Sequence, residues 1–200
     1  MTQKLYQAAI AAFDRANAED PNKEMADGQE YPKELLYAHR LSEMLQRYAP
    51  GAHEAVKLAV RAQHIQRWKI PRSNYPMDRN GYLQWRTGLY KFHAETAGRL
   101  MQETGYDDDM VARVKAIVSK KGLKVNSGTQ MMEDVVDLVF LENYIVGFAA
   151  QHPEYTEEKW IQIIRKTWQK MSSGAHEFAL AGKIKFPEAL QPLILKAIQK

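Results

Sequence analysis

Apolar residues recur along this chain at the three-and-four spacing of amphipathic helices. Leu5, Ala9, Ala12, Phe13 and Ala16 form one stripe over residues 2–18. The polar run EDPNKEMADGQEYP follows, with one Gly and two Pro, and predicts a loop. Pro32 suits the start of a second helix, KELLYAHRLSEMLQRYA, which stacks Leu35, Leu36, Leu41, Met44 and Leu45 and ends at Ala49-Pro50-Gly51. A third helix is predicted from about Ala52 to Trp68, with Val56, Ala59, Val60 and Ile65 inward. Two prolines and several turn formers make KIPRSNYPMDRN a loop. A long helix then runs from near Gly81 to about Glu103.

DDDMVARVKAIVSKK carries its acids first and its lysines last, as the helix dipole favours. Residues 129–150, including MMEDVVDLVFLENYIVGFAA, are the most apolar stretch and predict a central helix. Thr156 is placed to cap a helix through about Met171, and two short helices, near 175–183 and 187–199, complete the chain. Strand alternation is weak throughout. The pattern therefore predicts an all-α protein, one domain over residues 1–200, a bundle of about eight or nine helices.

Composition narrows the classes. The chain has 200 residues, 45% hydrophobic and 26% charged, and no cysteine, which excludes disulfide scaffolds, zinc ribbons and thiol catalysis. No apolar run is long enough for a bilayer span, and the N-terminal stretch lacks a signal peptide's apolar core, so a cytoplasmic protein with no membrane partner is expected. Charge is unevenly spread. Net charge is +4, yet residues 61–91 hold seven basic side chains against one acid, Asp78. That segment is an anion-attracting feature on a slightly acidic body.

Within it, Arg67, Arg72, Arg79 and Arg86 alternate with Trp68, Tyr75, Tyr82 and Trp85. Guanidinium forks pair with phosphate or carboxylate, and the aromatic faces stack on flat rings. Together they point to an anionic small molecule, a nucleotide ahead of RNA because +4 is modest for an RNA binder. The plainer alternative is that the aromatics pin a proline-rich loop while the arginines line a solvated rim. Lys166, on a later helix, is a further candidate for the anion.

The run RAQHIQRWKIPRSNYPMDRNGYLQWR resembles the signature of the family catalogued as domain of unknown function 4202. The likeness continues through Ala94-Glu95, EDVVDLVFLE at 133–142, KTWQKM at 166–171 and His176, and covers nearly all of the chain from Pro32 onwards. It implies no particular reaction. A looser likeness, to HD-type metal-dependent phosphohydrolases, rests on order: a His on an early helix (His39), a His near the end of the next (His64) and an Asp on a central helix (Asp134). Ile65 stands where that family has its second Asp.

His93 and Glu95 lie two apart and point about 200° apart on a helix, so only one can face the site. Glu95, which shares the family pattern, is the expected replacement ligand. The likeness implies a divalent metal held by His39, His64, Glu95 and Asp134, with His64, Glu95 and Asp134 catalytic in hydrolysis of a phosphorylated compound. Two alternatives stay open: a metal-free binder of an anionic aromatic ligand, and a module that docks an acidic protein. Asp134 and Asp137, among apolar neighbours, need a partner, either a metal or an arginine. Glu133 and Asp137 could instead form an exposed face.

Overall fold

The structure, a computed structural model, describes residues 2–198. Helix α1 (Thr2–Ala18) buries Ala9, Ala12, Phe13 and Ala16, the stripe its spacing predicts. The polar run after it is not a plain loop. It folds into an antiparallel hairpin, β1 (Lys23–Ala26) and β2 (Gln29–Pro32), with Ala26 opposite Gln29. Asp27 and Gly28 both take positive φ, 48° and 75°, which lets a two-residue turn follow the twist of the strands. The Asp20 carboxylate gathers the hairpin's base by accepting from Asn22 N–H, from the Asn22 side chain and from Glu34 N–H.

Helix α2 (Lys33–Tyr48) buries Leu36, Ala38, Leu41, Met44 and Leu45, but also Glu34. Helix α3 (Glu54–Ala62) is shorter than its apolar pattern suggests. The chain breaks out of it at residues 63–66, where Gln66 adopts the left-handed conformation (φ 51°) and its N–H donates to Asn17 Oδ1 at 2.9 Å. Two short 3₁₀ turns follow, and then the 26-residue α4 (Arg79–Thr104), capped by Asp78 accepting from Gly81 N–H. Gly105, at φ 99°, closes α4. Helix α5 (Asp108–Val118) begins on the Asp107 cap. In this half α4 packs against α1 and α5, and α3 packs against α1, α2 and α5.

The sequence pattern reads as one domain. The chain's packing groups into two compact units, Met1–Met132 and Glu133–Lys200, with the boundary inside α6 (Ser127–Val139). The expected central helix is α6, a π-helical turn at Phe140–Tyr144, and α7 (Ile145–Ala150). Thr156 caps α8 (Glu157–Lys170) as predicted, with its Oγ1 accepting from Lys159 N–H. Helix α9 (Ser173–Phe178) and α10 (Gln191–Ile198) follow, and α10 packs on α8. Among the described residues there are ten α-helices and one two-stranded sheet, so the fold is all-α. No helix among them is long and apolar enough to cross a membrane.

Candidate functional site

The start of α2, the turn after α3 and the middle of α4 bring Glu34, His64, Arg67 and His93 together. His64 Nδ1 lies 3.3 Å from Glu34 Oε2, and Arg67 Nη1 lies 3.1 Å from His64 Nε2. A guanidinium can only donate, so Nε2 is the accepting nitrogen and the His64 proton resides on Nδ1, facing the carboxylate. Arg67 therefore donates to His64 Nε2, while the Nδ1 side of the ring faces the Glu34 carboxyl. Tyr37 stacks on the His64 ring at 4.4 Å and fixes its plane.

His93 sits behind, its ring centroid 5.8 Å from that of His64. Its Nδ1 donates to Ile65 O at 2.8 Å, leaving Nε2 buried with no hydrogen-bond partner. Asn17 ties the parts to α1: its Oδ1 accepts from Gln66 N–H and its Nδ2 donates to Glu34 O.

Burial sets the protonation states. It pushes the Glu34 carboxyl up to about 7, although Arg67 and Lys33 pull the other way. Burial, reinforced by His64 and Arg67, pushes His93 down to about 3. Burial also holds His64 well below its ordinary value, helped by Arg67, Lys120, Arg86 and Lys33 around it. At neutral pH both rings are uncharged, and Glu34 is poised near half ionisation.

The arginine-rich segment divides. Arg67 lies over the Trp85 ring, 4.8 Å from its centroid, and Trp85 is anchored by donating from Nε1 to Ile70 O at 2.8 Å. Arg86 donates to the hydroxyls of Tyr90 and Tyr82, and Tyr82 tilts against Trp85 at 6.0 Å. These four expected residues form one continuous group. Among the described residues neither Arg67 nor Arg86 pairs with a carboxylate.

Arg72 behaves differently. It donates to Tyr75 O and Asp78 O and so staples the proline loop. Trp68 and Tyr75 are half-buried there, and Arg79 is exposed. Lys166 belongs to the second unit and is exposed.

The four residues proposed to hold a metal have other partners. His39 is half-exposed, 3.9 Å from Asp14, whose carboxylate takes a bidentate pair from Arg61 at 2.7 Å. Glu95 points outward, 57% exposed, and accepts from Lys115 at 2.8 Å. Of the two residues that could face the site, it is His93 that does. Asp134, in the second unit, accepts from Ser172 N–H at 2.7 Å and from Ser172 Oγ at 2.6 Å. Among the described residues no group of three His, Asp or Glu side chains is arranged to hold a metal ion. The donors at His64 do not suit a cation either, because Nε2 already faces a fixed positive charge.

The buried acids of α6 find their counter-charge in a lysine and their caps in a serine, neither of which the sequence pattern suggested. Lys170 Nζ donates to Glu133 Oε1 at 2.9 Å and Asp137 Oδ1 at 2.6 Å. Glu133 is 1% exposed, so this pair is not a solvated face. His176, another residue of the family pattern, stacks on Trp168 at 4.2 Å and bonds its backbone carbonyl through Nε2.

Sequence reasoning missed Glu34, Tyr37 and Asn17. Glu34 did leave a signal: with Ala38, Leu41 and Leu45 it completes the i, i+4, i+7, i+11 stripe of α2, an acid at a core position. No curated protein and no solved structure matches the chain. The family described as domain of unknown function (DUF4202) matches residues 7–194, and the chain belongs to that family.

Proposed function

We propose that the first unit binds a small anionic ligand bearing a flat ring, a nucleotide in the first instance. The observation that carries this is the state of Arg67 and Arg86. Both are held in place by aromatic rings, phenol hydroxyls or an uncharged imidazole, and neither is neutralised by a carboxylate among the described residues. Guanidinium groups fixed in this way are pre-organised for a phosphate or carboxylate, and the bond they make is charge-assisted. Trp85 and Tyr82 offer ring faces beside them. This reading needs no metal, in keeping with the scattered donors. An HD-like hydrolase, which the helix order suggests, draws less support because the residues it needs are engaged elsewhere.

Calorimetric titration with adenosine monophosphate and with adenosine tests the proposal. The monophosphate is expected to bind and the nucleoside to bind far more weakly. Arg67→Gln and Arg86→Gln should each weaken the monophosphate by about 10- to 100-fold, the range of one charge-assisted bond. Equal binding of the two compounds, or variants that bind as well as the parent, would refute it.

A further inference from the structure

We propose that the anion site takes a ligand with two linked phosphates, a nucleoside diphosphate, and that Lys120 holds the second phosphate together with Arg86. The inference rests on the binding reading above and names its ligand class. One face of α4 carries it. Tyr82, Arg86 and Tyr90 follow at four-residue intervals and so line one side of the helix over about 12 Å. Arg86 donates to both hydroxyls, and its guanidinium carbon lies 5.7 Å from the Tyr90 ring centroid. Lys120 reaches the same ring from beyond α5, with Nζ 5.6 Å from that centroid. Two cations from separate elements thus meet at Tyr90. At the other end Arg67 lies over Trp85, and Trp85 lies against Tyr82. A ring held at Trp85 and Tyr82 would therefore direct its phosphates along α4, past Arg86 and towards Lys120.

Lys120 occupies a position that backbone conformation alone would give to glycine. Its N–H donates to Ile117 O at 2.9 Å and the Lys121 N–H to Ala116 O at 3.1 Å, the paired bonds that close a helix through a left-handed residue. Lys120 is that residue, with φ 56°, where a Cβ is disfavoured and glycine is usual. It is half-buried rather than trailing in water. Strain of this kind collects at ligand sites. The surrounding charge agrees. Burial first, and then Arg67, Lys120, Arg86 and Lys33 in turn, hold the His64 ring uncharged, so four cations gather about it. Like charges so gathered repel one another, and a ligand with two phosphates offsets more of that repulsion than a ligand with one.

The test uses the full chain with a chelator present, so that no divalent ion bridges the phosphates. Adenosine diphosphate and adenosine monophosphate are titrated by calorimetry into the parent, Lys120→Met and Lys120→Gly, and each protein is melted without ligand. The parent is expected to bind the diphosphate at least about 10-fold more tightly than the monophosphate, the range of one added charge-assisted bond. In both variants that ratio should fall to about 3-fold or less. Lys120→Gly should melt no lower than the parent, because glycine relieves the left-handed residue. If the parent binds the two nucleotides equally, the second phosphate falls and the monophosphate reading stands. If the ratio survives both variants, Lys120 serves only the helix end, where the dipole favours a cation, and its assignment falls. If neither nucleotide binds, both readings fall.

Discussion

Replacing Glu34 with glutamine separates the burial of its carboxyl from its charge. The amide keeps the shape and can still lie beside His64 Nδ1, but it cannot ionise. In the native chain burial raises the Glu34 carboxyl from 4.5 to about 7. The native state therefore holds a proton between those values that the unfolded chain has already released. With more protons bound in the native state, stability is full below 4.5 and falls as pH rises through 7. At about 1.36 kcal/mol per unit, the parent loses about 2.5 kcal/mol through this group between pH 5 and pH 8. Glu34→Gln loses none of it.

The difference between the two proteins, measured by urea unfolding, should thus move by about 2.5 kcal/mol in favour of the variant as pH goes from 5 to 8. Packing changes cancel in this comparison, because they are the same at both pH values. His64 and His93 titrate in both chains, so their slopes largely cancel as well. A difference that stays within about 0.5 kcal/mol across the range would mean an ordinary carboxyl, and the poised His64–Glu34 pair would fail with it.

His93 has the opposite sign. Its native value near 3 means the unfolded chain takes up a proton below 6.5 that the native chain refuses, so stability falls with acid; His93→Gln should flatten that limb by about 1.4 kcal/mol per pH unit in thermal melts at pH 4–6. Lys170→Met withdraws the ammonium from two buried carboxylates and should destabilise by about 3 kcal/mol in denaturant, more than Lys166→Met on the same helix, whose side chain is exposed. Gly81→Ala would place a Cβ 2.1 Å from Pro76 O, a backbone clash at the first turn of α4. Calorimetry should show a loss of about 3 kcal/mol, and proteolysis should open first at the proline loop.

The amphipathic spacing made most of the helices legible, because 3.6-residue periodicity survives in any sequence whose helices each bury one face. The hairpin did not follow that rule. Its strands are four residues long and bury no position fully, so no apolar alternation marks them in the sequence, and only Asp27-Gly28 signalled the turn. The early end of α3 was hidden for another reason: the apolar pattern continues to Ile65, which is fully buried, but in a turn outside the helix that ends on the left-handed Gln66, held by a side chain on α1.

At the site, Arg67, Trp85, Tyr82 and Arg86 were visible as a composition anomaly. Glu95 was preferred to His93 on family pattern, while the rotation of α4 turns His93 inward and leaves Glu95 on Lys115. Partners joined across long separations, such as Glu34 with His64 or Lys170 with Glu133, exist only once the helices have packed.

One carboxamide has a reach larger than its size. Asn17, 1% exposed, grips the backbone of Gln66 with its oxygen and the backbone of Glu34 with its nitrogen, so the gap between imidazole and carboxyl is gauged by a residue that meets neither. Asn17→Asp would keep the first grip and turn the second into a repulsion between two oxygens, widening that gap without altering either ring or carboxyl. The spacing of the pair is thereby open to adjustment from the far side of α1.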